Sequence, residues 1–277
     1  MVKQILSRLL FAATLVACGG CFAKNAEGRR ELNIMPESML NKQASLAYQD
    51  QKKQVPISKD VKSRAIVMRV ADRLIAQAKA RYGSYCQGFQ WEVELFDEPK
   101  TVNAYCMPGG KIGIYTGILP VCKNEAALAA VMGHEISHAL LKHGNERVSQ
   151  QLATTGLLLG AQVGMAAKSS MDKNVQQLVL AGAGIGTQVG LLAFSRGHES
   201  EADRMGLKLL ATSGYDPSEG PNLWRRMKEQ SGGKHPPVLL STHPSNDQRI
   251  KDLEALLPEV RPLYEQAPQK YGLGDTF

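Results

Sequence analysis

Apolar positions recur at helical spacing in two stretches of the first third of the chain. The first pattern begins near Pro36 and runs to about Lys53, before Pro56 breaks it. The second runs from Ser58, a residue type suited to capping a helix, to Tyr82, and its apolar positions fall on one face. The pattern therefore predicts two long amphipathic helices.

The period then changes from helical spacing to alternation. Residues 89–95 alternate apolar and polar side chains, which indicates a half-buried strand. Residues 102–107 and 111–115 lie on either side of a Pro-Gly-Gly turn and favour two further strands. We therefore expect a small three-stranded sheet.

An alanine-rich stretch with the features of a helix follows the sheet. Asn124 can cap its start, Glu125 suits its first turn, and Gly144 can stop it after His143. This predicted helix carries the motif H-E-x-x-H at residues 134–138. We therefore expect the motif to lie on a regular helix, where residues four apart share a face.

Beyond this helix, glycines recur every four residues in two uncharged stretches. They are Gly156, Gly160 and Gly164, then Gly182, Gly186 and Gly190. Such a stripe lets another backbone come close, which predicts a helical hairpin at about 150–194. An internal hairpin and an element that touches membrane or another copy of the chain both remain open.

Together these patterns predict an α+β fold, mostly helical, with the small sheet beside the H-E-x-x-H helix. We divide the chain into a signal segment at 1–17, a polar tether at 18–34, a domain at 35–257 and a tail at 258–277. The 277 residues are 43% hydrophobic and 21% charged, which suits one sizeable core. The net charge of +7 is dispersed among acidic residues, so no nucleic-acid surface is predicted.

The N-terminus has the pattern of a targeting segment. Lys3 and Arg8 form a charged region that precedes an apolar run at 9–16. This run is too short to span a bilayer. The run ends in Leu-Val-Ala before Cys18 and resembles a bacterial lipobox, in which that cysteine becomes the lipidated first residue. Resemblance to Gram-negative lipoproteins with Gly19 after the cysteine implies the periplasmic face of the outer membrane. A plain secretory signal is the alternative.

Three further cysteines lie within or beside the predicted sheet, namely Cys86, Cys106 and Cys122. In an oxidising envelope we expect one disulfide among them, although the sequence does not set the pairing. Buried free thiols are the alternative.

The H-E-x-x-H motif is typical of a zinc site. His134 and His138 present two imidazoles to one point, and Glu135 lies beside it, where it can accept a proton from an activated water. An ordinary amphipathic helix with two histidines is the alternative. The motif therefore predicts one catalytic zinc ion per chain, with a third protein ligand elsewhere.

Several donors compete for the third position. His143 is off the face of the two motif histidines. On a helix predicted after Gly197, Glu199 and Asp203 share a face and Glu201 points away. One of the two can bind zinc while the other holds a ligating histidine, or the charges merely complement the helix dipole.

Four segments that occur in a fixed order carry a family resemblance. They are His134-Glu135-x-x-His138, the strand from Asn103-Ala104 to Pro108-Gly109-Gly110, the segment Glu199-x-x-Ala202-Asp203, and His243-Pro244 with Arg249. They resemble the gluzincin peptidases of the HtpX, CAAX prenyl protease and mitochondrial overlapping-activity peptidase group, and within it the BepA- and LoiP-like envelope lipoproteins. The resemblance covers about residues 58–256.

The resemblance implies a zincin-type catalytic domain and assigns several roles. Glu199 matches the third zinc ligand, and Asp203 matches the supporting aspartate. Asn103 and Ala104 match an edge strand that can bind an extended peptide, and the alternative is a sheet that merely covers the helix. Substrates would be unfolded or misassembled envelope proteins. The sequence does not predict the oligomeric state.

Two late residues are candidates for stabilising the oxyanion on a scissile carbonyl. They are His243 and Arg249, whose alternatives are a turn histidine before Pro244 and a surface arginine. We therefore predict a zinc endopeptidase in envelope protein quality control. The alternative is a zinc-stabilised chaperone or binding lipoprotein without turnover, with His143, Glu201 or a loop donor in the fourth position.

Overall fold

The computed structural model describes residues 22–153, 194–230, 232, 237–244, 247–272 and 277. Cys18 and the predicted signal segment lie outside these residues. So does the predicted glycine-rich hairpin, apart from residues 150–153 and 194 at its ends.

Helices make up most of the described residues, and the strands form two small sheets. The helices are α1 (Glu37–Gln54), α2 (Val61–Tyr82), α3 (Leu119–Cys122), α4 (Glu125–Leu140), α5 (described at 143–153), α6 (Arg196–Thr212), α7 (Glu219–Gln230), α8 (Leu239–Thr242) and α9 (Asp247–Gln266). The strands are β1 (Phe22–Lys24), β2 (Arg30–Leu32), β3 (Glu92–Phe96), β4 (Ala104–Met107) and β5 (Lys111–Tyr115). The predicted α+β class is confirmed.

The three-stranded sheet has the order β3-β5-β4 and lies beside α4, as the alternation predicted. β5 pairs in parallel with β3 and antiparallel with β4. The N–H of Tyr115 donates to the carbonyl of Asn103, so the hydrogen-bonded pairs along this ladder fall at alternate residues. The backbone groups of Ala104 and Cys106 therefore point away from β5, toward the side of β4 on which no other described strand pairs.

The motif helix α4 is buried along its whole length. It packs against α2, α6, α7 and β4. Its start is fixed by Asn124, whose side-chain oxygen accepts a hydrogen bond of 2.8 Å from the N–H of Ala127. Because uncharged side chains cover most of its surface, α4 forms the centre of the core.

Two glycines let α4 and α6 touch backbone to backbone. A Cβ atom added to Gly206 would lie 3.0 Å from the backbone N of His134 and 3.2 Å from the carbonyl carbon of Gly133. No side chain fits between the two helices at this point. The crossing brings the first turn of α6 to the motif histidines.

Two helix boundaries differ from the sequence prediction. α4 ends at Leu140 rather than His143, because Lys142 adopts a left-handed φ of 54° and the chain restarts as α5 at residue 143. Asp60 rather than Ser58 caps α2, because its carboxylate accepts two backbone N–H groups at the start of that helix.

Both ends of the described chain pack onto the domain. Residues 22–32, inside the predicted tether, form the antiparallel β1–β2 hairpin, in which Asn25 and Glu31 are buried. The predicted boundary at residue 257 falls inside α9, which continues to Gln266 and buries Val260.

Cys86, Cys106 and Cys122 are free thiols, so the expected disulfide is wrong and the alternative of free thiols holds. Burial raises the pKa of the Cys122 thiol to about 12, which keeps it protonated and inert. No helix within the described ranges is both long and apolar enough to cross a membrane.

Candidate metal centre and active site

The two motif histidines and Glu199 converge on one point. The Nε2 atoms of His134 and His138 lie 3.1 Å apart. The carboxylate oxygens of Glu199, in the first turn of α6, lie 3.4 Å from each of them. Ligands of a tetrahedral zinc ion, each about 2.0–2.1 Å from the metal, lie roughly 3.3 Å from one another. The three residues therefore fit a zinc ion.

His243 supplies a fourth donor to the same cluster. It follows α8, and its Nδ1 lies 3.2 Å from His134 Nε2 and 2.9 Å from Glu199 Oε1. All four donors are buried. The sequence placed His243 at the site as an oxyanion donor, whereas its Nδ1 lies among the metal-binding atoms.

A carboxylate and a guanidinium hold the donors in place. Asp203 Oδ1 lies 2.9 Å from His134 Nδ1, so this nitrogen carries the hydrogen of the neutral ring, which leaves Nε2 as the nitrogen that can bind a metal. Arg249 donates two hydrogen bonds of 2.7 Å to Asp203, and its Nη1 lies 2.7 Å from Glu199 Oε2. Its guanidinium also lies 3.6 Å from the ring centroid of Trp224. Arg249 therefore faces the carboxylates that hold the site.

Glu135 has one oxygen available for chemistry. Its Oε1 is buried and accepts no hydrogen bond from the described residues, and the nearest imidazole nitrogen, His243 Nε2, is 3.5 Å away. Burial raises the pKa of the Glu135 carboxyl, which makes it a better proton acceptor than an exposed glutamate. An unpaired buried oxygen beside a donor cluster is what a general base in a metallopeptidase requires.

The ionisation of the donors follows from their surroundings. Burial alone would raise the pKa of Glu199, but hydrogen bonds from His134, His138 and His243 hold it far below its ordinary value. Burial lowers the pKa of His138, which favours the neutral ring that a metal binds. Burial also lowers the pKa of His134, but hydrogen bonds to Asp203 and Glu199 outweigh it and bring the pKa to about 9.

A cleft of about 500 Å³ opens beside the donors. Glu135, His138 and His243 lie on its floor, and β4 with the preceding Asn103 forms one wall. α1 also lines the cleft, through Leu40, Ala44, Ala47 and neighbouring residues. The predicted substrate strand, with Asn103 and Ala104, therefore borders the metal-binding cluster.

The sequence did not predict two aromatic rings that pack on the motif histidines, and it placed His143 on the motif helix, which ends before that residue. Phe194 packs on His138 with ring centroids 3.9 Å apart, and Trp224 packs on His134 at 5.6 Å. Neither carries a motif signal. His143 lies behind His138, 2.9 Å from its Nδ1, because the chain turns after Leu140. Because the left-handed residue of this turn is a lysine and not a glycine, the turn could not be predicted from the sequence.

Comparisons with known proteins agree with this geometry. The model of peptidase family M48 matches residues 58–257. The chain is 36% identical over 196 residues to the mitochondrial metalloendopeptidase OMA1 of Schizosaccharomyces pombe, an alignment that covers 70% of this chain and 53% of that protein. It is 25% identical over 277 residues to the beta-barrel assembly-enhancing protease of Escherichia coli, covering 98% of this chain and 55% of that protein.

The chain thus spans about half the length of these curated relatives. The family match nevertheless covers all four donors. Two histidines, a glutamate and a neighbouring unpaired glutamate oxygen form the site that such a match requires. The chain belongs to peptidase family M48, a family of zinc metallopeptidases.

Proposed function

We propose that this chain is a zinc-dependent endopeptidase that cleaves extended polypeptides. One observation carries the proposal: the donor cluster lies beside the unpaired Oε1 of Glu135, and Glu135, His138 and His243 line a cleft whose wall is β4, the edge strand of the described sheet. His134, His138 and Glu199 would hold the metal. A zinc site that only stabilises the fold does not need an unpaired, buried carboxylate oxygen beside it.

The side chains divide the chemistry among them. Bound zinc would supply a Lewis acid for the scissile carbonyl. Glu135 takes the proton of the attacking water and then delivers it to the leaving amine. Asp203 and Arg249 keep His134 and Glu199 in place through the contacts of 2.7–2.9 Å described above.

The edge of β4 supports binding of an extended substrate. The N–H and C=O groups of Ala104 and Cys106 point away from β5, and the strand lines the cleft. A peptide that pairs with this edge uses its backbone and is selected only weakly by its side chains. Binding through the edge brings the scissile bond past Glu135.

For the biological role we propose quality control of unfolded or misassembled envelope proteins. The lipobox-like pattern before Cys18 supports a lipid anchor at the periplasmic face of the outer membrane. The name of the Escherichia coli relative, a beta-barrel assembly-enhancing protease, supports the same compartment. The OMA1 relative is named as mitochondrial, so compartment is tested separately by fractionating cells and labelling Cys18 with a lipid precursor.

Glu135→Gln tests the mechanism. The amide keeps the size of the side chain but cannot accept a proton, so we expect one zinc ion per chain and a fall of about 10²–10⁴-fold in cleavage of unfolded casein. Metal content and cleavage are measured on the same sample. Glu259→Gln is the control, since this carboxylate contacts only Lys208 at the surface among the described residues. Cleavage by Glu135→Gln at the parental rate would reject the mechanism.

One observation favours a second candidate function. The cluster has four protein donors, the number found in closed structural zinc sites. A zinc-stabilised chaperone or binding protein would bind zinc and unfolded chains but cleave nothing, and Glu135→Gln would match the parent in cells. Absence of cleavage in both the parent and His243→Ala would favour this function.

A further inference from the structure

A chain of hydrogen bonds leads from the metal-binding cluster to the N-terminal hairpin. His138 Nδ1 lies 2.9 Å from His143 Nδ1, and His143 Nε2 lies 3.0 Å from Glu201 Oε2. Arg29, in the β1–β2 hairpin, donates from Nε to Glu201 Oε1 at 2.5 Å. These four side chains form what we term the relay.

The relay has one consistent arrangement of hydrogens. His138 Nε2 faces the metal-binding atoms, so it keeps its lone pair and Nδ1 carries the hydrogen. His143 Nδ1 must then accept, which places its own hydrogen on Nε2, where the Glu201 carboxylate accepts it. Each bond fixes the next. The orientation of the His138 ring thus depends on Glu201.

The hairpin in turn fixes Glu201. Asn25 donates to Glu201 Oε2 at 3.2 Å, and its own side-chain oxygen accepts from the backbone N–H groups of Glu27 and Arg29 at 3.1 and 3.0 Å. The turn that closes the hairpin therefore also aims Arg29. The Glu201 side chain is 21% exposed, so these two donors hold it against competition from water.

The guanidinium of Arg29 has a second set of hydrogen bonds that is not part of the relay. Its Nη1 and Nη2 donate to Glu146 at 3.0 and 2.6 Å. Glu146 Oε2 lies 3.1 Å from His198 Nε2, and within the described residues neither side chain is hydrogen-bonded to a metal-binding atom. The His198 ring stacks on His143 with centroids 4.4 Å apart, but it makes no hydrogen bond to the relay. Arg29 thus donates hydrogen bonds to two carboxylates, and only one of them is in the relay.

We propose that Arg29, acting through Glu201 and His143, is a positioning residue that fixes the ring of His138 and sets how tightly the protein holds zinc. The N-terminal hairpin is then part of the metal site, although it lies outside the residues matched by the family model. The inference rests on the metal site of the proposed function. It does not depend on whether the protein cleaves peptides.

The test measures the zinc affinity of full-chain variants. It compares variants altered in the relay with a variant altered at Glu146, which Arg29 binds outside the relay. The dissociation constant is measured by competition with a chromophoric chelator. Loss of a group that orients a ligand typically weakens metal binding about 10–100-fold, so we expect Glu201→Gln and Arg29→Ala each to raise the zinc Kd about tenfold or more. The matched variant Glu146→Gln should stay within about twofold. The Arg29→Ala/Glu201→Gln double variant should bind zinc no more weakly than Glu201→Gln, since both act in one chain of bonds.

Two results would overturn the proposal. An unchanged zinc Kd in Glu201→Gln shows that the relay does not act on His138. Equal increases in the zinc Kd of Glu201→Gln and Glu146→Gln show that the hairpin stabilises the fold without a specific effect on His138. Thermal unfolding of the metal-free proteins reports whether each variant folds. If Arg29→Ala does not fold, Arg29→Lys decides, because it keeps the charge and must bind zinc better than Glu201→Gln. Because no substrate is used, a parent that binds zinc without cleaving rejects the peptidase and leaves this test intact.

Discussion

Glu199 shows how single side chains make a buried charge tolerable. The residue is only 5% exposed, and three imidazoles and the Arg249 guanidinium surround its carboxylate. Arg249 in turn pairs with Asp203, which holds His134. Buried charges of this kind are stable only when each keeps its partner, so the site is sensitive to single substitutions.

His243→Ala separates two roles at the residue scale. The substitution removes Nδ1 from the donor cluster and frees the fourth position that a catalytic zinc site leaves open. We expect weaker zinc binding and a several-fold rise in casein cleavage per bound zinc. Ser241→Ala, on the exposed side of α8, is the neighbouring control. A lower kcat at full zinc occupancy would instead support the oxyanion role predicted from the sequence.

At the scale of elements, the crossing of α4 and α6 sets the position of Glu199. The crossing is close only because Gly133 and Gly206 lack side chains at the contact. A wider crossing would move Glu199 away from both motif histidines.

Gly206→Ala tests this crossing. The new methyl group would lie 3.0 Å from the backbone of His134, so the helices must separate. We expect a loss of about 1–3 kcal/mol in the free energy of unfolding together with weaker zinc binding. Gly197→Ala is the matched control in α6, because its nearest atom is Ser195 Oγ at 3.8 Å. Thermal melts and chelator competition measure both effects. Zinc affinity equal to that of the parent in Gly206→Ala would contradict the argument.

Elements with local patterns were predictable from the sequence. The alternation before residue 96 and the alanine-rich run after Asn124 predicted β3 and the start of α4, because short-range spacing encodes both. The end of α4 was missed, since Lys142 forms a left-handed turn without glycine. The β1–β2 hairpin was also missed, because its partners Glu146 and Glu201 lie more than a hundred residues away in sequence.

The candidate site was predictable in part for the same reason. His134, His138 and their shared face follow from spacing on one helix. The resemblance added Glu199 and brought His243 to the site. The atoms that each presents depend on the packing of α6 and α8 against α4, which no local pattern encodes.

At the scale of the whole molecule, the metal site joins distant parts of the chain. His243 is 109 residues from His134 and 44 from Glu199. A bound metal therefore closes long loops and disfavours the unfolded chain.

Removing the metal should lower the stability of the protein. Zinc at about 100 times its Kd contributes roughly 2.7 kcal/mol, so chelation should lower Tm by about 5–10 °C, and zinc but not magnesium should restore it. Calorimetry with and without chelator measures this shift. Glu199→Gln, which would lack one of the proposed ligands, should melt at nearly the same temperature in both conditions. A parent protein whose Tm ignores chelation would contradict this role of the metal.

The backbone groups of Ala104 and Cys106 that point away from β5 bear on when a substrate can bind. Under the proposed function, a polypeptide would pair with them through its backbone, and only while that backbone is itself unpaired. A chain that folds or inserts quickly withdraws its backbone before an encounter, and a stalled chain does not. Under the proposed function, the strand edge would therefore select substrates by the length of time for which their backbone stays unpaired.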